Sequence, residues 1–156
     1  MQNPFFGKKY NTPYETPPFD KILFEHYEPA MMEGMRLEKE AIEALCNNPE
    51  EPTFENTILA LENSGEVLSR VCGVLFNLTE AETCDQLDSI SEKYSPILSE
   101  ASSKIKQNET LFARVKKVYE NIENYSDPIK KKLIEDSYIG FVRSGANLDS
   151  DKKERM

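Results

Sequence analysis

The 156 residues contain no tryptophan and only one histidine, His26. A single imidazole cannot assemble a metal centre or a catalytic triad, so its expected role is helix capping or packing. H-E-x-x-H, G-x-S-x-G, a Gly-rich phosphate loop and a Cys/His nucleophile pair are all missing. No residue is therefore assigned a catalytic, cofactor-binding or metal-binding role. Cysteine is scarce: Cys46, Cys72 and Cys84 are an odd set without C-x-x-C, which argues against a disulfide framework or a zinc knuckle. A single Cys46–Cys84 bridge stays open, and Cys72 reads as core filler. Positive charge is short as well, with 19 Lys and Arg against 28 Asp and Glu. A net charge of −9 without a basic stripe argues against a nucleic-acid partner. No apolar run approaches the ~20 residues of a membrane span, so no membrane partner is expected.

What is present is helical periodicity. In residues 52–78, Ile58, Leu61, Leu68, Cys72 and Leu75 form one apolar row, and Val67, Val71, Val74 and Leu78 form a second beside it. Two adjacent rows make a wide buried stripe, so this stretch is expected to be the central helix. Thr53 is its expected N-cap, and Glu55 is placed to favour the helix dipole. Gly65 either marks a close approach by a neighbour or splits the helix in two.

Four further helices are expected. The first covers 25–46, with Pro29 in its first turn. Another follows a capping box at Thr83 and Gln86, its seam of Leu87, Ile90, Tyr94, Ile97, Ala101 and Ile105 continuing through a kink at Pro96. Asn108 caps a helix holding Leu111, Phe112, Val115, Val118, Tyr119 and Ile122. Asp127-Pro128 opens the last, with Ile129, Leu133, Ile134, Tyr138, Phe141 and Val142 inward and Gly145 at its close. Ahead of them, residues 1–20 carry four prolines among Phe5, Phe6, Tyr10, Tyr14 and Phe19. That composition suits an extended arm strapped across helices. Asp149 or Ser150 offers an N-cap followed by only about two turns, which suggests a helix cut short. The expected fold is all-α: an antiparallel bundle of about five helices in one domain (1–156), with arm 1–20, bundle 21–147 and truncated helix start 148–156.

Short pieces along the chain also occur in a definite order. Asn3-Pro4-Phe5, Pro18-Phe19-Asp20-Lys21-Ile22 and Glu25-His26-Tyr27 come first, followed by Phe54-Glu55-Asn56-Thr57-Ile58 and Leu68-Ser69-Arg70-Val71. Leu111-Phe112-Ala113-Arg114-Val115 and Phe141-Val142-Arg143-Ser144-Gly145-Ala146-Asn147-Leu148 close the series. In these pieces, and in their order, the chain resembles the N-terminal region of bacterial peptidyl-dipeptidases (dipeptidyl carboxypeptidases), zinc metallopeptidases related to oligopeptidase A and thimet oligopeptidase.

The resemblance implies a longer parent enzyme that cleaves C-terminal dipeptides from short peptides. Its zinc would be held by H-E-x-x-H and a downstream glutamate in a C-terminal catalytic region. None of those residues is in this sequence, so the chain alone is expected to be an inactive fragment without zinc. It would help to wall the substrate channel, with the catalytic region of the same chain as its partner. A cytoplasmic or a periplasmic location would fit equally. A stand-alone helical interaction module is the alternative. A fragment should also have an apolar surface that is exposed, or else covered by self-association or by the aromatic N-terminal arm, for which Phe112, Tyr138 and Phe141 are the candidates.

Overall fold

The computed structural model describes residues 3–7 and 9–146. They form an all-α fold, without a β-strand among the described residues. The helices are α1 (Phe24–Asn47), α2 (Ala60–Ser64), α3 (Glu66–Ala81), α4 (Asp85–Lys106), α5 (Glu109–Glu120) and α6 (Pro128–Arg143), with a π-helical turn at Phe54–Leu59 running into α2. The chain divides into two compact units. One takes the residues up to Glu40 together with Ser64–Ile97; the other takes Ala41–Asn63 and the residues from Leu98 onward.

The first unit is built on α3. Leu68, Val71, Val74 and Leu75 are buried, with Tyr27, Ala30 and Met31 from α1 and Leu87 and Tyr94 from α4. Gly34 of α1 sets the approach to α3, because a Cβ there would lie 2.9 Å from the Leu68 Cα and 3.0 Å from its nitrogen. The N-terminal arm contributes Phe5, fully buried with its ring 5.4 Å from that of Tyr27. Asn3 caps the arm's first turn, accepting from the Phe5 amide, and donates to the His26 carbonyl at 2.8 Å. Prolines prevent the arm from becoming a long helix, so two short 3-10 turns, Pro4–Phe6 and Pro13–Glu15, take its place.

The second unit centres on α5 and α6. Ile42, Leu45, Phe54, Ile58, Leu111, Val115, Val118 and Ile134 are buried together with Phe112 and Phe141. Tyr119 stacks on Tyr138 at 4.0 Å, and Phe112 stacks at 5.9 Å on both Tyr138 and Phe141. Phe112 and Phe141 are thus core and Tyr138 is half-buried against them, so the expectation that the three form an uncovered surface is corrected: they stack together between α5 and α6.

Most helix ends lie where the capping residues place them. Thr53 accepts from the Asn56 amide while Asn56 reaches back to the Thr53 amide, a reciprocal cap. Asn108 accepts from Leu111 and Asp127 from Ile129. Gly145, at φ 82°, closes α6 as the left-handed residue beyond the C-cap.

At Gly65 (φ −100°, ψ 21°) the 52–78 stretch splits in two, one of the two outcomes its sequence left open, and a Cβ there would also meet the Glu38 carboxylate at 2.8 Å. Three local expectations are corrected. Thr83 donates to the Asp88 carboxylate and makes no capping box with Gln86, so α4 starts at Asp85. Pro29 lies beyond the first turn of α1, which begins at Phe24. Ile129 points outward, 78% exposed, while its neighbour Lys130 turns toward the core and lies 4.7 Å from the Phe54 ring centre. The expected helix start at Asp149 or Ser150 lies outside the described residues.

The two glycines should respond differently to alanine. Alanine adds roughly 1 kcal/mol of helix propensity over glycine, but at position 34 its methyl meets backbone that cannot swing away. Overpacking of that kind costs about 1–3 kcal/mol, so Gly34→Ala is expected to lower the thermal midpoint. Gly65→Ala meets only the end of a flexible side chain and should leave stability within about 0.5 kcal/mol. Paired thermal melts of the two variants check the contrast.

Candidate functional site

His26 and Cys72 have structural roles. His26 accepts the Leu23 amide at its Nδ1 (3.0 Å), which makes it a capping residue at the start of α1. The described residues hold no group of three or more His, Cys, Asp or Glu able to bind a metal. They therefore do not fit the zinc that the family resemblance implies. All three cysteines are free thiols. Cys72 lies 3.9 Å from the Met31 sulfur, and burial, with help from the Glu38 charge, pushes its thiol up to about 11. Burial also raises the Glu38 carboxyl above its usual range. A thiol held neutral in this way is a packing group and a poor nucleophile.

Two arginines placed on apolar helix rows have the most elaborate surroundings. Arg114 of α5, 8% exposed, lies one turn from Leu111 and Val118. Its guanidinium donates to the carbonyls of Asn48 (2.8 Å) and Glu50 (3.2 Å), to Asn56 Oδ1 (3.3 Å) and to Thr57 Oγ1 (3.4 Å). Asn56 joins this cluster to the Thr53 cap and donates to the Glu51 carbonyl at 2.9 Å. The result is a knot that fastens the connector after α1 and the π-helical turn to α5. The Arg114 Nε is buried without a partner, so the knot leaves one donor unsatisfied.

Arg70 of α3 does the same for the N-terminal arm. It donates to the carbonyls of Phe5 (3.1 Å) and Gly7, pairs with Glu66 (2.8 Å) and lies 5.6 Å from the Tyr10 ring centre. Burial raises the Tyr10 hydroxyl above its usual range, with Arg70 acting in the opposite sense. Sequence reasoning did not assign either arginine a role. The available signal was a cation in register with Val67, Val71 and Val74, and another in register with Leu111, Val115 and Val118.

The concave features are open grooves. In the first unit, a groove of about 480 Å³ is lined by Phe24, Glu25, Glu28, Pro29, Met32 and Ile90. A second, of about 460 Å³, shares Phe24 and Ile90 and adds Asp85, Gln86 and Ser89. In the second unit, Leu61, Ile105, Gly140 and Phe141 help to line a hollow of about 290 Å³. None of them brings a nucleophile and a base within hydrogen-bonding reach among the described residues, so what they can do is bind apolar groups.

Two outcomes test these assignments. Arg114→Met takes the guanidinium donor from the Asn48 and Glu50 carbonyls and from Thr57 Oγ1, while Asn56 Oδ1 keeps the Thr53 amide, and it should cost about 2–4 kcal/mol; Arg114→Lys should recover only part, since an ammonium cannot fork between them. Urea unfolding of the three proteins measures this. Alkylation of Cys72 should rise roughly tenfold per pH unit between about 8 and 10, without a plateau. An unfolded thiol ionises near ~8.5, below the folded value. The burial of Cys72 therefore stabilises the fold fully below that pH, and the contribution is lost as pH climbs toward 11. Mass-spectrometric labelling and alkaline melts read both effects.

No family model matches the chain. It is 41% identical to the dipeptidyl carboxypeptidase of Escherichia coli (strain K12) over 155 residues, covering 99% of this chain and 23% of that protein. The Salmonella typhimurium dipeptidyl carboxypeptidase is also 41% identical, over 92% of this chain and 21% of its own length. Oligopeptidase A of Escherichia coli is 29% identical over 99% of this chain and 22% of its own length. The chain thus spans less than a quarter of the length of these curated relatives. Along nearly all of its own length, it is related to a stretch of the dipeptidyl carboxypeptidases and, more distantly, of oligopeptidase A.

Proposed function

We propose that this chain is a non-catalytic, N-terminal helical region of a longer zinc-dependent peptidyl-dipeptidase. In that reading, the intact enzyme removes C-terminal dipeptides from short peptides, and this region helps to wall the channel through which they reach the catalytic centre. The observation that carries it is the pairing of two facts. Similarity to dipeptidyl carboxypeptidase runs along 99% of the chain, while H-E-x-x-H is missing from its sequence and its one histidine is used to cap α1. The zinc and the general base would then belong to a catalytic region outside these residues, which is also the proposed partner of this one.

The helical scaffold suits such a role. Each unit buries a core of aromatic and aliphatic side chains and fastens its non-helical segments with an arginine. No described helix is long and apolar enough to cross a membrane.

The test is hydrolysis of a peptide blocked at its N-terminus, followed by release of C-terminal dipeptide in the presence of zinc. The 156-residue chain should release none and bind no zinc in equilibrium dialysis, whereas the longer protein should do both. Zinc-dependent release by the purified 156-residue chain, retained after repeated chromatography, would overturn the proposal.

A further inference from the structure

Helix α1 is apolar on more than one side. Tyr27, Ala30, Met31 and Gly34 face the core of the first unit, yet Phe24 and Met32 lie on another face, 47% and 64% exposed. Phe24, Glu28 and Met32 follow one another at helical spacing along the wall of the groove, with Pro29 beside them and Ile90 of α4 opposite. The neighbouring hollow shares Phe24 and Ile90, so the two adjoin as a trough beside the first turns of α4, with an apolar wall and an acidic edge. A surface helix is normally polar on its outer face, and one that is apolar on several sides is normally covered on them.

We infer that this trough is the docking face for a segment of the same polypeptide lying outside the 156 residues. The inference rests on the proposed function, and the length argument carries the choice of occupant. The relatives extend to more than four times the length matched here, so most of a related chain is available to cover it. The charge of the rim narrows the chemistry. Glu25, Glu28 and Asp85 line the trough, and Lys93 pairs with Glu28. The covering segment therefore presents apolar side chains to Phe24, Met32 and Ile90 and Lys or Arg to the acidic edge. A second copy of this chain, with a net charge of −9, is the less complementary occupant.

Met32 reports on the trough, and Met31, fully buried in the core, is its internal control. Both proteins, the 156-residue chain and the longer polypeptide, are exposed to dilute hydrogen peroxide, and sulfoxide formation is followed by peptide mass spectrometry. In the short chain Met32 should oxidise many times faster than Met31; in the longer protein the ratio should fall to about one. Met32→Glu should leave the melting of the short chain unchanged and lower that of the longer protein. If the longer protein hydrolyses peptides while its Met32 stays as reactive as in the short chain, the docking face is wrong and the functional reading stands. If the longer protein has no peptidase activity, the functional reading fails; protection of Met32 in it would still uphold the docking face. If light scattering shows the short chain as a dimer with Met32 protected, a second copy is the occupant and the inference is overturned.

Discussion

Non-helical backbone laid against a helical core must find donors for its carbonyls, and in this protein guanidinium groups supply many of them. A helix satisfies its own interior groups, whereas a proline-rich arm or a connector does not. Arg70 meets this need in the first unit, where the arm offers the carbonyls of Phe5 and Gly7. Arg114 meets it in the second, holding the carbonyls of Asn48 and Glu50. Each arginine rises from the apolar row of a helix, so its stem packs among aliphatic side chains while its planar head reaches several acceptors at once. A lysine would bring the charge without the fork.

Asn56 shows how such a cluster becomes cooperative. Its side-chain oxygen takes the Thr53 amide, the Thr57 hydroxyl and the Arg114 guanidinium, while its nitrogen serves the Glu51 carbonyl. The same residue thus ends a loop, starts a helical turn and receives a side chain from α5. The π-helical turn at Phe54–Leu59 belongs to this arrangement, since it buries Phe54, Thr57 and Ile58 together.

The helices were legible because their causes are local. Period-3.6 rows on α3, α5 and α6 and the caps at Thr53, Asn108 and Asp127 act within a few residues of themselves. What was not legible depended on neighbours distant in sequence. The Thr83 hydroxyl had two nearby partners, and the choice of Asp88 over a capping box is not encoded in residue type. Ile129 matches the inward row of α6 but faces outward, its neighbour Lys130 taking the place over the Phe54 ring. Residue type alone leaves Phe112, Tyr138 and Phe141 as candidates for an open surface, whereas their stacking needs the pairing of α5 with α6. The absence of H-E-x-x-H was readable directly. The roles of Arg70 and Arg114 were not, because a cation on an apolar row says only that something must receive it.

Gly34 has a meaning that its single hydrogen conceals. The backbone of Leu68 occupies the space where a side chain would begin, so the distance between two helices is written into the smallest residue available. Mutational drift at this position has almost nowhere to go, while Gly65, the same residue further along, enjoys far greater latitude.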